Sequence, residues 1–273
     1  MKIRTYFRRS IAITNEHGSW VFLLSPLIIG IFIGETWKIA TLYLIIAALV
    51  GFLIRQPASM AVKVYSGRRS RSDLPAARFW ISVYGIIGLV MITGLIIRGY
   101  GFILYLVLPG VPVFVWHLWL ISKRAERRQI GIEIVASGVL ALSAPAAYWI
   151  GVGSPDPKGW VIWGLIWLQS AASIVYTYLR LAQRSWKEIP DSKIRLRSGY
   201  RAILYTTFNL VFVGILSIWG FLPPWLPLAY ELQWLETLWG SFVRPAIDAK
   251  PATIGFRQLA VSILFTIIFI LTW

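Results

Sequence analysis

The residues best suited to chemistry begin near the N-terminus, in the run Asn-Glu-His-Gly-Ser-Trp at positions 15–20. Glu16 and His17 set a carboxylate beside an imidazole where a basic segment turns into an apolar run. Such a pair can exchange protons with a bound substrate. The same residues are equally typical of a helix start, where Glu16 complements the positive helix end and Trp20 lies at a membrane interface. Both interpretations stay open.

Further polar residues stand at the starts or ends of other apolar runs. We expect them to face the same membrane side as Glu16 and to form a cytoplasm-facing pocket. In this hypothesis Glu133 joins Glu16 and His17 as an acid–base candidate, and the ligand-binding candidates are Arg55, Arg201, Asn209 and Arg257. The alternative is that Glu133 and Arg257 only pair with loop charges.

The composition argues against metal and cofactor chemistry. The chain has no Cys and two His, and its four Asp are isolated in the sequence. Paired carboxylates for Mg²⁺ would have to stand about one helical turn apart, and three-histidine zinc sites need one more His. We therefore expect no metal and no cofactor. A haem held between His17 and His117 is the alternative that the count allows.

Hydropathy identifies a membrane protein. Of the 273 residues 58% are hydrophobic and 14% charged, and the mean hydropathy is +0.69; soluble domains have about 25% charged residues. Long apolar runs in lipid must be helices, since their backbone groups have no other partners there. Eight such runs are expected, at about 18–34, 38–54, 79–97, 101–121, 132–152, 159–180, 202–221 and 255–273.

A ninth run, 224–243, is doubtful because it carries Glu231 and Glu236. Each carboxylate in mid-membrane costs about 2.5–3.5 kcal/mol, so a helix lying in the interface is the alternative. Lys and Arg concentrate in alternate connections, which predicts a cytoplasmic N-terminus. The cations of 244–257 keep this pattern only if the ninth run crosses.

We therefore expect an all-α, polytopic transmembrane bundle of about nine spans, in one membrane domain covering 1–273. Its expected location is the inner (plasma) membrane. The net charge of +16 lies mostly in short cytoplasmic loops, which is typical of membrane orientation and predicts no nucleic-acid partner. Pro109, Pro112 and Pro145 predict broken helices, which line cavities in many transporters.

Several of these residues resemble those of a known family. The opening Glu-His-Gly-Ser-Trp, with Pro26 following, is similar to the start of YwiC-like bacterial integral membrane proteins, as are Arg-Gln-Pro at 55–57, Gly-Ile-Glu at 131–133 and Pro-Ala-Thr-Ile-Gly at 251–255. This resemblance implies a multi-pass membrane protein and brings no known activity with it.

The layout also resembles the nine-span UbiA-type prenyltransferase scaffold. That scaffold carries aspartate-rich motifs in the loops that correspond to 55–78 and 181–200 here, and in this sequence Asp73 and Asp191 stand alone. The resemblance therefore implies a hydrophobic cavity with a basic mouth rather than Mg²⁺–diphosphate chemistry.

Three function classes follow from these observations. The first is binding or handling of an amphiphile, such as an isoprenoid, a quinone or a lipid, in a cytoplasm-facing cavity. The second is a membrane enzyme, for example a degenerate UbiA-like transferase. The third is a structural or assembly subunit with other membrane subunits as partners. We expect the first, and the sequence leaves enzymatic activity open.

Overall fold

The computed structural model describes residues 6–13, 17–125 and 129–273, without the side chain of His17. Within these ranges the chain consists of helices joined by loops and has no strand. After one turn at Arg9–Ala12 and a 3-10 turn at His17–Trp20, the helices are α1 Val21–Ile33, α2 Ile39–Leu53, α3 Arg55–Tyr65, α4 Leu74–Ile97, α5 Val107–Ser122, α6 Ile130–Ala141, α7 Ser143–Val152, α8 Pro157–Gln183, α9 Ser192–Ile218, α10 Pro227–Leu238 and α11 Pro251–Thr272.

Seven helical segments within the described residues are long and apolar enough to cross a membrane. They correspond to α2–α3, α4, α5, α6–α7, α8, α9 and α11, with short 3-10 turns added before α4 and α5. This confirms the expected all-α, polytopic bundle. The other two predicted runs are shorter helices: the first is Gly18–Ile33, and the second is α10 followed by a π-helical turn at Trp239–Val243.

The doubtful run lies inside the bundle, along its two neighbours in the chain. The indole Nε1 of Trp234 donates to Thr207 Oγ1 of α9 at 3.0 Å, and a side chain on Gly199 would meet Ser241. The rings of Tyr230 and Phe265 of α11 are 5.4 Å apart, whereas Glu236 contacts Arg257, about two turns closer to the N-terminal end of α11. The run therefore lies antiparallel to both α9 and α11, as a crossing segment would.

The loops divide the molecule into two ends. The loop residues 66–73, 123–125, 129, 184–191 and 244–250 form the end that we call the basic end, and the loops at 34–38, 98–100, 153–156 and 219–226 form the opposite end. At the opposite end α1 and α7 touch through glycines: a Cβ on Gly30 would lie 2.2 Å from the carbonyl oxygen of Ala144, and one on Gly151 would meet the backbone of Gly34. Small residues allow this approach of two membrane helices.

The helix break predicted from Pro145 is present, and the one predicted from Pro109 and Pro112 is not. A helix break separates α6 from α7 at Leu142, just before Pro145, which cannot donate a backbone hydrogen bond. In contrast, α5 runs without interruption through Pro109 and Pro112, so the predicted break of that helix was wrong. Pro109 lies in the first turn of α5, where the missing N–H has no partner in any case.

Candidate functional site

A cleft of about 500 Å³ opens among six passes of the bundle in the half nearer the basic end. It lies between the start of α1 and helices α3, α5, α6, α8 and α11. Ligand pockets typically measure about 300–1,000 Å³, so this central cleft is large enough for a small molecule or part of a chain.

Polar side chains reach the central cleft as stripes along its helices. On α3 the stripe is Arg55, Ser59 and Lys63, with a spacing of four residues. A four-residue spacing repeats along one face of a helix. The other polar lining residues that the structure describes are Ser19 before α1, Gln56 on α3, His117 on α5, Glu133 and Ser137 on α6, Ser173 and Thr177 on α8, and Gln258 and Ser262 on α11.

Apolar side chains complete the wall. They are Val21, Phe22, Ile121, Ile132, Ala136, Leu140, Ile174 and Leu259. Among the described residues, the lining therefore has two cations, Arg55 and Lys63, one carboxylate, Glu133, and both hydroxyl-bearing and apolar surfaces. Such a surface suits a molecule with a polar head and an apolar body.

A smaller polar cavity of about 20 Å³ continues from the central cleft toward the middle of the bundle. It shares Phe22, Ser173 and Ser262 with the cleft. Beside it Ser25 Oγ of α1 and Thr266 Oγ1 of α11 are 2.6 Å apart and hydrogen-bonded. Ser173 Oγ donates to Gln258 Oε1 at 3.2 Å. Hydrogen bonds between side chains thus join the helices where the cleft narrows.

Glu133 and Arg55, two of the predicted site residues, both line the central cleft. Glu133 Oε1 accepts a hydrogen bond of 2.6 Å from the Tyr178 hydroxyl, and the Arg55 guanidinium lies 5.7 Å from the centre of the Phe52 ring. Their placement agrees with the predicted pocket, although their roles remain predictions. Glu16 lies outside the described residues, as does the side chain of His17.

The other three predicted ligand-binding residues lie away from the central cleft. Arg201 is exposed on α9. Asn209 is buried, and its Nδ2 donates to the carbonyl oxygen of Leu168 at 2.8 Å. Arg257 makes a bidentate ion pair with Glu236, at 2.6 Å from Nε and 2.7 Å from Nη2. Arg257 is therefore paired, as in the alternative interpretation, but its partner lies on a helix rather than in a loop.

A second polar group lies beside the central cleft, and the sequence reasoning missed it. Arg180 is 7% exposed near the end of α8. Its Nη1 donates to the carbonyl oxygens of Gly240 and Arg244 at 2.8 and 2.7 Å and to Gln183 Oε1 at 2.9 Å. The π-helical turn presents these two carbonyls at the C-terminal end of a helix, where a cation is favourable.

The same group explains why the carboxylate of Glu236 is tolerated in a buried helix. Its side chain is 9% exposed and is held by Arg257 and by the Tyr176 hydroxyl, which donates to Oε1 at 3.0 Å. A buried carboxylate is acceptable when it is paired and hydrogen-bonded. Arg257 also stacks over the Trp239 ring, 3.9 Å from its centre.

The missed residues did leave a signal in the sequence. Ser170, Ser173, Thr177 and Arg180 are spaced by three or four along the apolar run of α8, and Gln258, Ser262 and Thr266 are spaced by four on α11. This helical period marks one face of each helix. Most of the predicted site residues lie at the ends of apolar runs, whereas these polar faces lie within the runs.

Asp73 is the single aspartate of a loop that carries an aspartate-rich motif in the prenyltransferase scaffold. It is 7% exposed and pairs with Arg8 at 2.5 Å and with Arg69 at 3.3 Å. Across the described part of the chain no group of three His, Cys, Asp or Glu is placed to hold a metal ion. The scaffold resemblance itself remains a prediction.

Comparison with known proteins gives one match. Residues 13–148, about half of the chain, match the family described as YwiC-like protein. No curated protein and no solved structure matches the chain. The matched part contains α1 to α6 and the 55–57 and 131–133 motifs, and the 251–255 motif lies outside it. Together with the apolar helices, this match identifies a multi-pass membrane protein, and through residues 13–148 the chain belongs to the YwiC-like family.

Proposed function

We propose that the protein binds an amphiphile, such as an isoprenoid, a quinone or a lipid, in the central cleft from the cytoplasmic side of the inner (plasma) membrane. The observation that carries the proposal is the mixed lining of one cleft of about 500 Å³, in which Arg55 and Lys63 share a wall with apolar side chains.

The stripe on α3 supports a position for the head group. Arg55 and Lys63 lie two turns apart on one helix face and can contact an anionic or hydrogen-bond-accepting head together. Glu133 faces the same space and is held by Tyr178. The carboxylate disfavours an anion on its side, so the head is expected to lie toward α3.

The apolar residues of the wall support a position for the tail. Ile121, Ile132, Ile174 and Leu259 come from four different helices around the cleft. Burial of an alkyl or isoprenoid chain against them contributes about 0.8 kcal/mol per methylene. Specificity for the head and affinity from the tail would thus come from separate parts of the lining.

Mass spectrometry of lipids retained by the detergent-purified protein tests the proposal. The test variant is the double substitution Arg55→Gln/Lys63→Gln, and Arg201→Gln is the matched control because Arg201 is exposed on α9 outside the cleft. We expect one amphiphile to co-purify with the wild type and the control, and retention to fall about tenfold or more in the double variant.

Equal retention in all three proteins would overturn the proposal. A stable partner subunit and no retained amphiphile would also overturn it, in favour of an assembly role. A retained amphiphile that the protein converts to a new product would extend the proposal to a membrane enzyme, the class in which the transferase resemblance belongs.

A further inference from the structure

A second cavity, of about 300 Å³, lies at the basic end between α8, the π-helical turn, the 244–250 segment and the start of α11. Its cations are Arg180, Arg244 and Arg257, and no acidic residue among those that the structure describes lines it. We call it the arginine cavity. It is distinct from the central cleft, and Gln258 is the residue that borders both.

The charges around the arginine cavity do not balance. Glu236, beside the cavity, forms an ion pair with Arg257, and Asp248 is an exposed residue of the adjoining loop that does not line it. Among the described residues, the cavity thus has three guanidinium groups, and the one carboxylate beside it is already paired with Arg257. Uncompensated cations at the edge of a low-dielectric bundle are unfavourable, and an anion placed among them removes that penalty.

Each arginine keeps donors for a ligand. All three hydrogen bonds of Arg180 leave from Nη1, and Arg257 uses Nε and Nη2 on Glu236. A guanidinium has five N–H groups, so both residues retain several. The Arg244 side chain is exposed and makes no hydrogen bond within the part of the chain that the structure describes.

The wall of the arginine cavity is fixed by other side chains. Gln183 Oε1 accepts a hydrogen bond of 3.0 Å from the backbone N–H of Ala246. Arg184 Nε donates to the carbonyl oxygen of Ala249 at 2.6 Å. These bonds hold the 244–250 segment against the end of α8, so the cations have a defined arrangement before any ligand arrives.

We infer that the arginine cavity binds a phosphate-type oxyanion, either the head group of a membrane lipid or free phosphate. Guanidinium groups match the oxygens of phosphate in bidentate geometry. The N-terminal end of α11, a helix of 22 residues, adds a favourable dipole at the same place. This site is independent of the proposed function, because it uses none of the cations of the central cleft.

The test variant is Arg244→Gln, because this side chain is exposed and only its backbone carbonyl serves Arg180. Arg201→Gln is the matched control, and Arg55→Gln/Lys63→Gln reports on the central cleft. Binding of inorganic phosphate to the detergent-purified full chain is measured by calorimetry at constant ionic strength. Retention of phosphatidylglycerol is measured in parallel by native mass spectrometry.

We expect Arg244→Gln to weaken phosphate binding about tenfold while both other variants bind as the wild type does. If phosphate does not bind but retained phosphatidylglycerol is lost in Arg244→Gln alone, the inference holds with a lipid as the ligand. It is overturned if neither ligand binds the wild type, if Arg244→Gln has no effect, or if only the cleft variant loses binding. That last result would leave the proposed function intact.

Discussion

The two ends of the bundle differ in how closely the same helical passes approach each other. At the opposite end α1 and α7 lie backbone against backbone through Gly30, Gly34 and Gly151. Toward the basic end the start of α1 and helix α6, which continues into α7, line the central cleft instead. Glycines form the helix contact at one end, whereas hydroxyl, amide and charged side chains line the cleft at the other end. One set of helices thus combines a closely packed half with a half that contains an open cleft.

The largest effect is expected from Arg180→Met, which tests whether the basic end depends on its buried polar group. The substitution leaves the carbonyl oxygens of Gly240 and Arg244 without this donor. We expect a loss of about 3 kcal/mol in the free energy of unfolding, measured by denaturant titration in mixed micelles. The exposed control Arg201→Met should change stability by no more than about 0.5 kcal/mol. Equal stability of the two variants would contradict the assigned role.

The closed end is tested by Gly30→Ala. The added Cβ would lie 2.2 Å from the carbonyl oxygen of Ala144, and the two backbones must separate to admit it. We expect a loss of about 1–3 kcal/mol in the same unfolding assay. Gly51→Ala in α2 is the control, because nothing lies within 4 Å of its Cβ position, and it should be neutral or slightly stabilising. Similar losses at both positions would argue against glycine-mediated packing.

A smaller effect is expected where the closed half meets the cleft. Thr266→Val removes the hydrogen bond between Ser25 and Thr266 that joins α1 to α11. Hydrogen bonds between membrane helices contribute about 0.6 kcal/mol on average, and we expect a loss of that size in unfolding free energy. Thr272→Val is the control, since its hydroxyl bonds only within α11. A loss well above 1 kcal/mol would show that this contact supports more than one hydrogen bond.

The smallest effect is expected from enlarging an alanine of the central cleft, and an alanine of the closed end serves as its comparison. Ala136 lines the central cleft, so Ala136→Leu should alter the free energy of unfolding by no more than about 0.5 kcal/mol. Ala144 is 0% exposed against Gly30, and Ala144→Leu should cost about 1–3 kcal/mol. Thermal unfolding followed by tryptophan fluorescence compares the two. If both are equally destabilising, the cleft is not open space in the membrane-bound protein.

Hydropathy located the helices well and their ends poorly. The run expected at 202–221 is part of α9, which begins ten residues earlier at Ser192, and the run at 38–54 continues as helix to Tyr65. In both cases the helix extends into a basic segment. Hydropathy reports the part of a helix that lies in hydrocarbon, whereas helical hydrogen bonding continues wherever the backbone permits.

Depth in the membrane was predictable for the candidate site, but the helix face was not. Arg55 and Glu133 were expected at the basic end and line the central cleft there. Arg201 was expected at a similar depth and is exposed on the outer surface of α9. Arg257 lies one residue from Gln258, which borders the central cleft, yet Arg257 pairs with Glu236 instead. Adjacent residues on a helix point about 100° apart, so depth alone assigns no partner.

The sequence by itself determined that this chain is a bundle of membrane helices with one basic end, because apolar length and the placement of Lys and Arg act on each segment separately. Only the tertiary structure decided which helices touch, where a cleft opens and which carboxylate neutralises which arginine. Those outcomes depend on contacts between residues far apart in the chain, such as Gly30 with Ala144 and Glu236 with Arg257. No property of a single segment specifies such contacts.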